Sequence, residues 1–123
     1  MNIHESAEDY LERILILNEK QEHVRSIDIA NSFNYSRASI SRAINNLKDN
    51  NYIDVDNSGF ITLTDKGMAI ASKIYERHQV LSTFFESLGV SEANALEDAC
   101  KIEHDLSDET FNAIKKLNNN KKA

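Results

Sequence analysis

Within five residues, Cys100-Lys101-Ile102-Glu103-His104 offers a thiol, a carboxyl and an imidazole. Residues three and four apart share a helix face, so a helix here would bring all three donors together. A mixed sulfur, oxygen and nitrogen set suits Fe²⁺, Mn²⁺, Co²⁺, Ni²⁺ or Zn²⁺. The surroundings agree with a cation: residues 91 to 109 carry Glu92, Glu97, Asp98, Glu103, Asp105, Asp108 and Glu109 against Lys101 alone. Two other places can supply further donors. Asp9 and Glu12 stand three apart near the N-terminus, and His78 lies in a long apolar-periodic stretch. Taken singly, the acidic pair fits a solvated helix face better than a ligand pair, and His78 a satisfied core or helix-surface histidine better than a ligand. Cys100 is the only cysteine, which excludes an internal disulfide and leaves a buried small hydrophobe, a reactive thiol or a metal ligand.

The opposite charge gathers earlier in the chain. The protein carries a formal net charge of -6 over 123 residues, which argues against nucleic-acid binding until the charge is read by segment. Residues 25 to 48 hold Arg25, Arg37, Arg42 and Lys48 against Asp28 only. Arginine grips guanine or phosphate, asparagine pairs with adenine, and serine suits base edges or phosphates. Arg25, Ser36, Arg37, Ser39, Ser41, Arg42, Asn45 and Lys48 are therefore the candidate DNA contacts.

The elements that would carry these residues follow from periodicity. Tyr10, Leu11, Ile14, Leu15 and Leu17 give an amphipathic helix over 5 to 19. Ser26 is placed to cap a short helix with Ile27, Ile29, Ala30 and Phe33. Asn34-Tyr35 reads as a turn, and Ser36 caps a third helix striped by Ile40, Ala43, Ile44 and Leu47. This is a helix-turn-helix pattern. Residues 52 to 55 and 60 to 63 are rich in strand formers around Asp56-Asn57-Ser58-Gly59, predicting a two-stranded wing over about 52 to 63. A long linking helix follows over about 64 to 88, ending at Gly89. Ser91 opens a helix to about Leu106, Ser107 caps a last one, and 118 to 123 reads as a frayed polar tail.

The predicted fold class is mainly α: a winged helix-turn-helix DNA-binding domain over 1 to 75, then a helical metal-binding and dimerisation domain over 76 to 123. Apolar residues at 41% and charged residues at 28% are ordinary for a folded domain. No apolar run approaches a membrane span and no signal core is present, so the expected location is cytoplasmic. The later helices must bury their apolar faces, most economically on a second copy of the chain.

As a whole the arrangement resembles the diphtheria toxin repressor family, which includes the manganese transport regulators. The resemblance runs from about Ser6 to about Leu106. It rests on Glu8-Asp9-Tyr10-Leu11-Glu12, Ile29-Ala30, Ser39-Ile40-Ser41, Leu63-Thr64-Asp65-Lys66-Gly67, Arg77-His78 and Asp98-Ala99-Cys100-Lys101-Ile102-Glu103-His104-Asp105-Leu106-Ser107. It implies a homodimeric, metal-dependent transcription regulator, a repressor of metal-uptake genes that binds a palindromic double-stranded operator. By correspondence, Asp9, Glu12, His78, Cys100, Glu103 and His104 are the metal ligands, with room for two ions per subunit as in the manganese branch. Cys100 departs from that branch, which has a carboxylate there, and matches the iron-responsive one. The softer thiolate tilts the expected ion toward Fe²⁺ over Mn²⁺. Ser82 and Leu96 stand at two ancillary-site positions of longer iron-dependent relatives, so that site is not expected, and the chain resembles the short two-domain form.

Four anionic donors drawn together without a cation repel one another. An ion would neutralise them, order the first helix with the dimerisation helices and raise operator affinity. Two other readings compete: a metal-independent winged-helix repressor and a metalloenzyme. No organic substrate is expected, because the glycines mark a wing and helix ends rather than a substrate loop.

Overall fold

The computed structural model describes residues 5 to 33 and 36 to 122, and the turn read at Asn34-Tyr35 lies outside the described residues. Among the described residues, six helices and one small antiparallel sheet follow in the order α1 (Glu5–Lys20), α2 (Ser26–Phe33), α3 (Arg37–Asp49), β1 (Ile53–Val55), β2 (Ile61–Leu63), α4 (Asp65–Ser87), α5 (Glu92–Ile102) and α6 (Asp108–Lys122). The chain divides into two compact units, Met1–Ser72 and Lys73–Ala123, with the boundary inside α4. The mainly helical class, with an N-terminal helix-turn-helix and wing, is as the sequence predicts.

In the first unit α1 packs on α2, α3 and β2. Its predicted stripe is buried at Tyr10, Leu11, Ile14 and Leu15, and meets Ile29, Ile40, Ile44, Leu47, Tyr52, Ile53 and Ile61 in one core. Val24, also fully buried, receives no helical or strand signal; its carbonyl accepts from Ile61 N–H at 2.7 Å and so ties the segment before α2 to the wing.

Caps set the helix limits. Ser36 caps α3, its Oγ accepting from Ser39 N–H at 3.2 Å. α2 differs from expectation: Ser26 is its first helical residue, the Arg25 carbonyl accepts from Asp28 N–H, and Asp28 Oδ2 accepts from Arg25 N–H at 2.9 Å. An aspartate three residues into the helix thus closes the cap from inside.

α3 stops without glycine. Asn51 adopts φ 65°, and Asn51 and Tyr52 N–H return to the carbonyls of Lys48 and Leu47 at 3.0 Å each. Asparagine tolerates this left-handed conformation, and the paired return bonds form a Schellman end. The wing strands pair Ile53 with Leu63 and Val55 with Ile61. Asp56 Oδ1 closes their turn by accepting from Ser58 and Phe60 N–H at 2.9 Å.

In the second unit, α4 ends at Ser87, and Gly89 just beyond it takes the left-handed conformation expected of it, with φ 96°. Gly89 and Val90 N–H bond back to Glu86 and Phe85. Ser107 Oγ accepts from Thr110 N–H at the start of α6. Two expectations are corrected here. α5 ends at Ile102 rather than near Leu106, since residues 103 to 105 form a turn. The tail read as frayed is helical to Lys122, because no glycine or proline interrupts α6 and Asn118 is buried.

Candidate metal centre and nucleic-acid interface

Three side chains of the second unit converge. His78 projects from α4, Cys100 from the last turn of α5, and Glu103 from the residue that caps α5. Glu103 keeps right-handed helical angles and bonds through its N–H to Ala99 O at 3.0 Å, so it stays on the Cys100 face although the helix proper has ended. Glu103 Oε2 lies 3.0 Å from His78 Nδ1, and Cys100 Sγ lies 3.7 Å from the same nitrogen. One donor atom from each of the three falls within 4.8 Å of the other two.

Glu103 is fully buried, His78 half-buried and Cys100 exposed, which removes the reading of Cys100 as a core residue. His104 departs from the pattern expected of a continuous helix. The imidazole beside the thiol belongs to His78, while His104 Nε2 approaches the other carboxylate oxygen, Glu103 Oε1, at 3.5 Å. That oxygen is buried and, among the described residues, has no hydrogen-bond partner.

The donor set fits a divalent transition ion. Metal–nitrogen, –oxygen and –sulfur bonds of about 2.0 to 2.3 Å around a tetrahedral centre space their donors roughly 3 to 4 Å apart, the range in which the two distances from His78 Nδ1 fall. The electrostatics agree. Hydrogen bonding to Cys100 first, and to Glu103 second, pushes the His78 pKa from 6.5 up to about 10 against the opposing effect of burial. Positive charge is therefore favoured at this point between a sulfur and a carboxylate.

Asp9 and Glu12 lie on α1 in the first unit, Asp9 half-buried and Glu12 buried. They are three apart and share a helix face, as their spacing predicts.

The predicted DNA contacts gather on α3 and its approach. Arg37, Ser41, Arg42, Asn45 and Lys48 are exposed along α3, Ser39 is half-buried in its first turn, and Ser36 is the exposed cap. Arg25 stands just before α2, and its guanidinium packs over the Phe60 ring at 4.6 Å. Phe60 also stacks on His23, with centroids 4.1 Å apart and ring planes at 10°. This ring, at the turn end of the wing, supports Arg25, a relation invisible to sequence because the partners are 35 positions apart.

Arg77 was not singled out as a functional residue by its type or spacing, yet it is buried to 4% exposure. Its Nη1 donates to the carbonyls of Glu103 at 3.1 Å and Leu106 at 2.7 Å, and its Nη2 to Asp108 Oδ1 at 2.6 Å. Lys73 first, then Arg77, hold the Asp108 carboxyl below the usual range. A basic residue on a long helix ordinarily implies solvent, so neither type nor spacing marks this burial, although Arg77-His78 is among the pairs that carry the family resemblance.

A winged helix-turn-helix with a basic reading helix, joined to a helical unit bearing a metal-type donor cluster, defines a metal-responsive DNA-binding regulator. The comparisons agree: the N-terminal DNA-binding domain of iron-dependent repressors matches residues 2–59, and their metal-binding and dimerisation domain matches residues 64–123. The chain belongs to the iron-dependent repressor family.

A helix-turn-helix-type transcriptional regulator of Methanocaldococcus jannaschii is 36% identical over 90% of this chain and 90% of its own length. The regulator MntR of Geobacillus kaustophilus is 35% identical over 91% of this chain and 77% of its own. Among solved structures, the manganese regulator SloR matches with a TM-score of 0.81 at 28% identity, over 97% of this chain and 55% of that one. A manganese-dependent transcriptional repressor in complex with manganese matches with a TM-score of 0.83 at 30% identity, over 92% and 52%. The chain thus spans about half the length of those two solved chains. The family is one of metal-dependent transcription regulators that bind DNA and dimerise. Among the described residues, no helix is long and apolar enough to cross a membrane.

Proposed function

We propose that this chain is a cytoplasmic, homodimeric repressor of divalent-metal uptake genes, switched by an ion held at His78, Cys100 and Glu103. The observation that carries this reading is the meeting of those three donors in the unit that matches the metal-binding domain. His104, beside the second oxygen of Glu103, and Asp9 and Glu12 of α1 are the proposed remaining ligands. Their support is the family correspondence together with the buried Glu103 Oε1, which faces His104 but has no hydrogen bond among the described residues, and six donors leave room for two ions.

The physical logic is charge. Cys100, Glu103, Asp9 and Glu12 repel one another when brought together as anions, and a divalent cation removes that repulsion and orders the elements carrying them. Less ordering then remains to be done on DNA, so affinity rises. Arg25, Ser36, Arg37, Ser39, Ser41, Arg42, Asn45 and Lys48 are the proposed operator contacts. Exposed Leu88, Leu96 and Leu117 supply apolar surface for a second copy. A two-fold dimer would read a palindromic operator.

The test selects duplexes from a random-sequence library with Mn²⁺ or, anaerobically, Fe²⁺ present, then titrates them by gel shift before and after chelation. Binding should weaken on chelation and return with the ion. Unchanged binding would favour the metal-independent repressor instead.

The thiolate sets the metal preference in this reading. Fe²⁺ is favoured over Mn²⁺ because sulfur is a softer donor than oxygen. Although the named relatives include manganese regulators, Cys100→Glu isolates this one donor. The Fe²⁺ to Mn²⁺ affinity ratio, measured by anaerobic competition, should fall by the order of tenfold. An unchanged ratio would remove Cys100 from selectivity.

A further inference from the structure

We infer that Arg77 is a positioning residue for the metal centre, holding the backbone of the Glu103–His104 turn in the geometry that aims the ligands. This rests on the assignment of His78, Cys100 and Glu103 as ligands.

The turn begins where α5 ends, so its carbonyls lack helical partners. Glu103 is pinned on its N–H side by Ala99 O at 3.0 Å. On its carbonyl side the partner is Arg77 Nη1, at 3.1 Å, and the same nitrogen reaches Leu106 O at 2.7 Å, beyond the turn. Nη2 reaches Asp108 Oδ1 at 2.6 Å, at the start of α6. One planar fork therefore spans the segment from the cap of α5 to the first turn of α6. Its apolar neighbour is Phe111, whose ring centre lies 5.2 Å from the guanidinium carbon.

Arg77 directly precedes His78 on α4, so a single helical step sets both a ligand and the brace for two others. A fixed positive charge beside a cation site would ordinarily oppose metal binding. Asp108 offsets it, and Lys73 at 3.2 Å helps keep Asp108 ionised. Lysine cannot replace the fork, because one ammonium does not present the planar array of N–H groups these acceptors use.

Co²⁺ is the probe, since a cysteine thiolate bound to it gives a charge-transfer absorption that reports the Cys100 bond. Arg77→Met should raise the Co²⁺ dissociation constant by about 10- to 100-fold, the usual range for residues that orient ligands, and weaken or shift the absorption. Arg77→Lys should recover only part of both, and Asp108→Asn, which spares both carbonyl bonds, should change them less. Circular dichroism and melting of the metal-free proteins establish which variants are folded; if Arg77→Met is not, Arg77→Lys and Asp108→Asn carry the test. Folded variants with lower melting temperatures but wild-type Co²⁺ affinity and spectrum would overturn the inference, leaving Arg77 a structural brace only. A wild-type protein that binds Co²⁺ with no thiolate absorption would instead defeat the ligand assignment, and the inference with it.

Discussion

Glu103→Gln is expected to reduce the DNA affinity of the metal-loaded protein to that of the metal-free wild type, a loss of roughly 5- to 150-fold if the coupling has the usual 1 to 3 kcal/mol size. Glutamine keeps the volume and removes the charge. Glu103 is fully buried, with one oxygen 3.0 Å from His78 Nδ1 and the other 3.5 Å from His104 Nε2. Its two oxygens thus face two histidines through a single side chain. Fluorescence anisotropy on a selected duplex, with and without saturating Mn²⁺, measures the coupling directly. A second reading comes from melting: an ion at 100 times its dissociation constant stabilises the folded state by about 2.7 kcal/mol, and the variant should lose that increment. A variant that retained the full metal response would remove Glu103 from the site.

Gly67→Ala should destabilise the DNA-binding unit by about 3 kcal/mol, at the upper end for an overpacked position. A Cβ at Gly67 would lie 2.0 Å from the carbonyl oxygen of Tyr52 and 3.0 Å from its carbonyl carbon. That carbonyl cannot easily retreat, because it accepts from Thr64 N–H at 3.1 Å while Tyr52 N–H is bonded to Leu47 O. The clash is with a bonded backbone carbonyl rather than a flexible side chain, so α4 must shift away from Tyr52. Such a cost corresponds to a fall in melting temperature of the order of 10 °C or more. Gly59→Ala is the control: its φ of 83° penalises a side chain, but nothing lies within 4 Å of the added carbon. The expected cost there is about 1 to 2 kcal/mol. Equal effects at the two glycines would show that close approach is not what Gly67 provides.

Local chemistry carried much of the architecture. Strand formers and turn residues marked the wing, Ser36 and Ser107 marked helix starts, and Gly89 marked a helix end, because each acts on backbone groups only a few positions away. Asn51 escaped notice as the end of α3, since asparagine adopts the left-handed conformation only when its surroundings favour it. Gly67 was not legible as a point of contact, because that depends on a carbonyl 15 positions earlier.

The same division runs through the cluster around Cys100. Residue types and spacing alone determined that a thiol, a carboxyl and imidazoles occur in an acidic segment, and that Cys100 and Glu103 share a face. Tertiary structure decided which imidazole stands beside the thiol. A continuous helix would have offered His104, but the turn at 103 to 105 directs it to the other oxygen of Glu103, and His78 arrives from α4. Tertiary structure also decided that Arg77 is buried, since its three acceptors lie 26 to 31 residues away. Helical periodicity reaches one or two turns along the chain, whereas the position of a ligand and of the group that holds it depends on how separate helices pack.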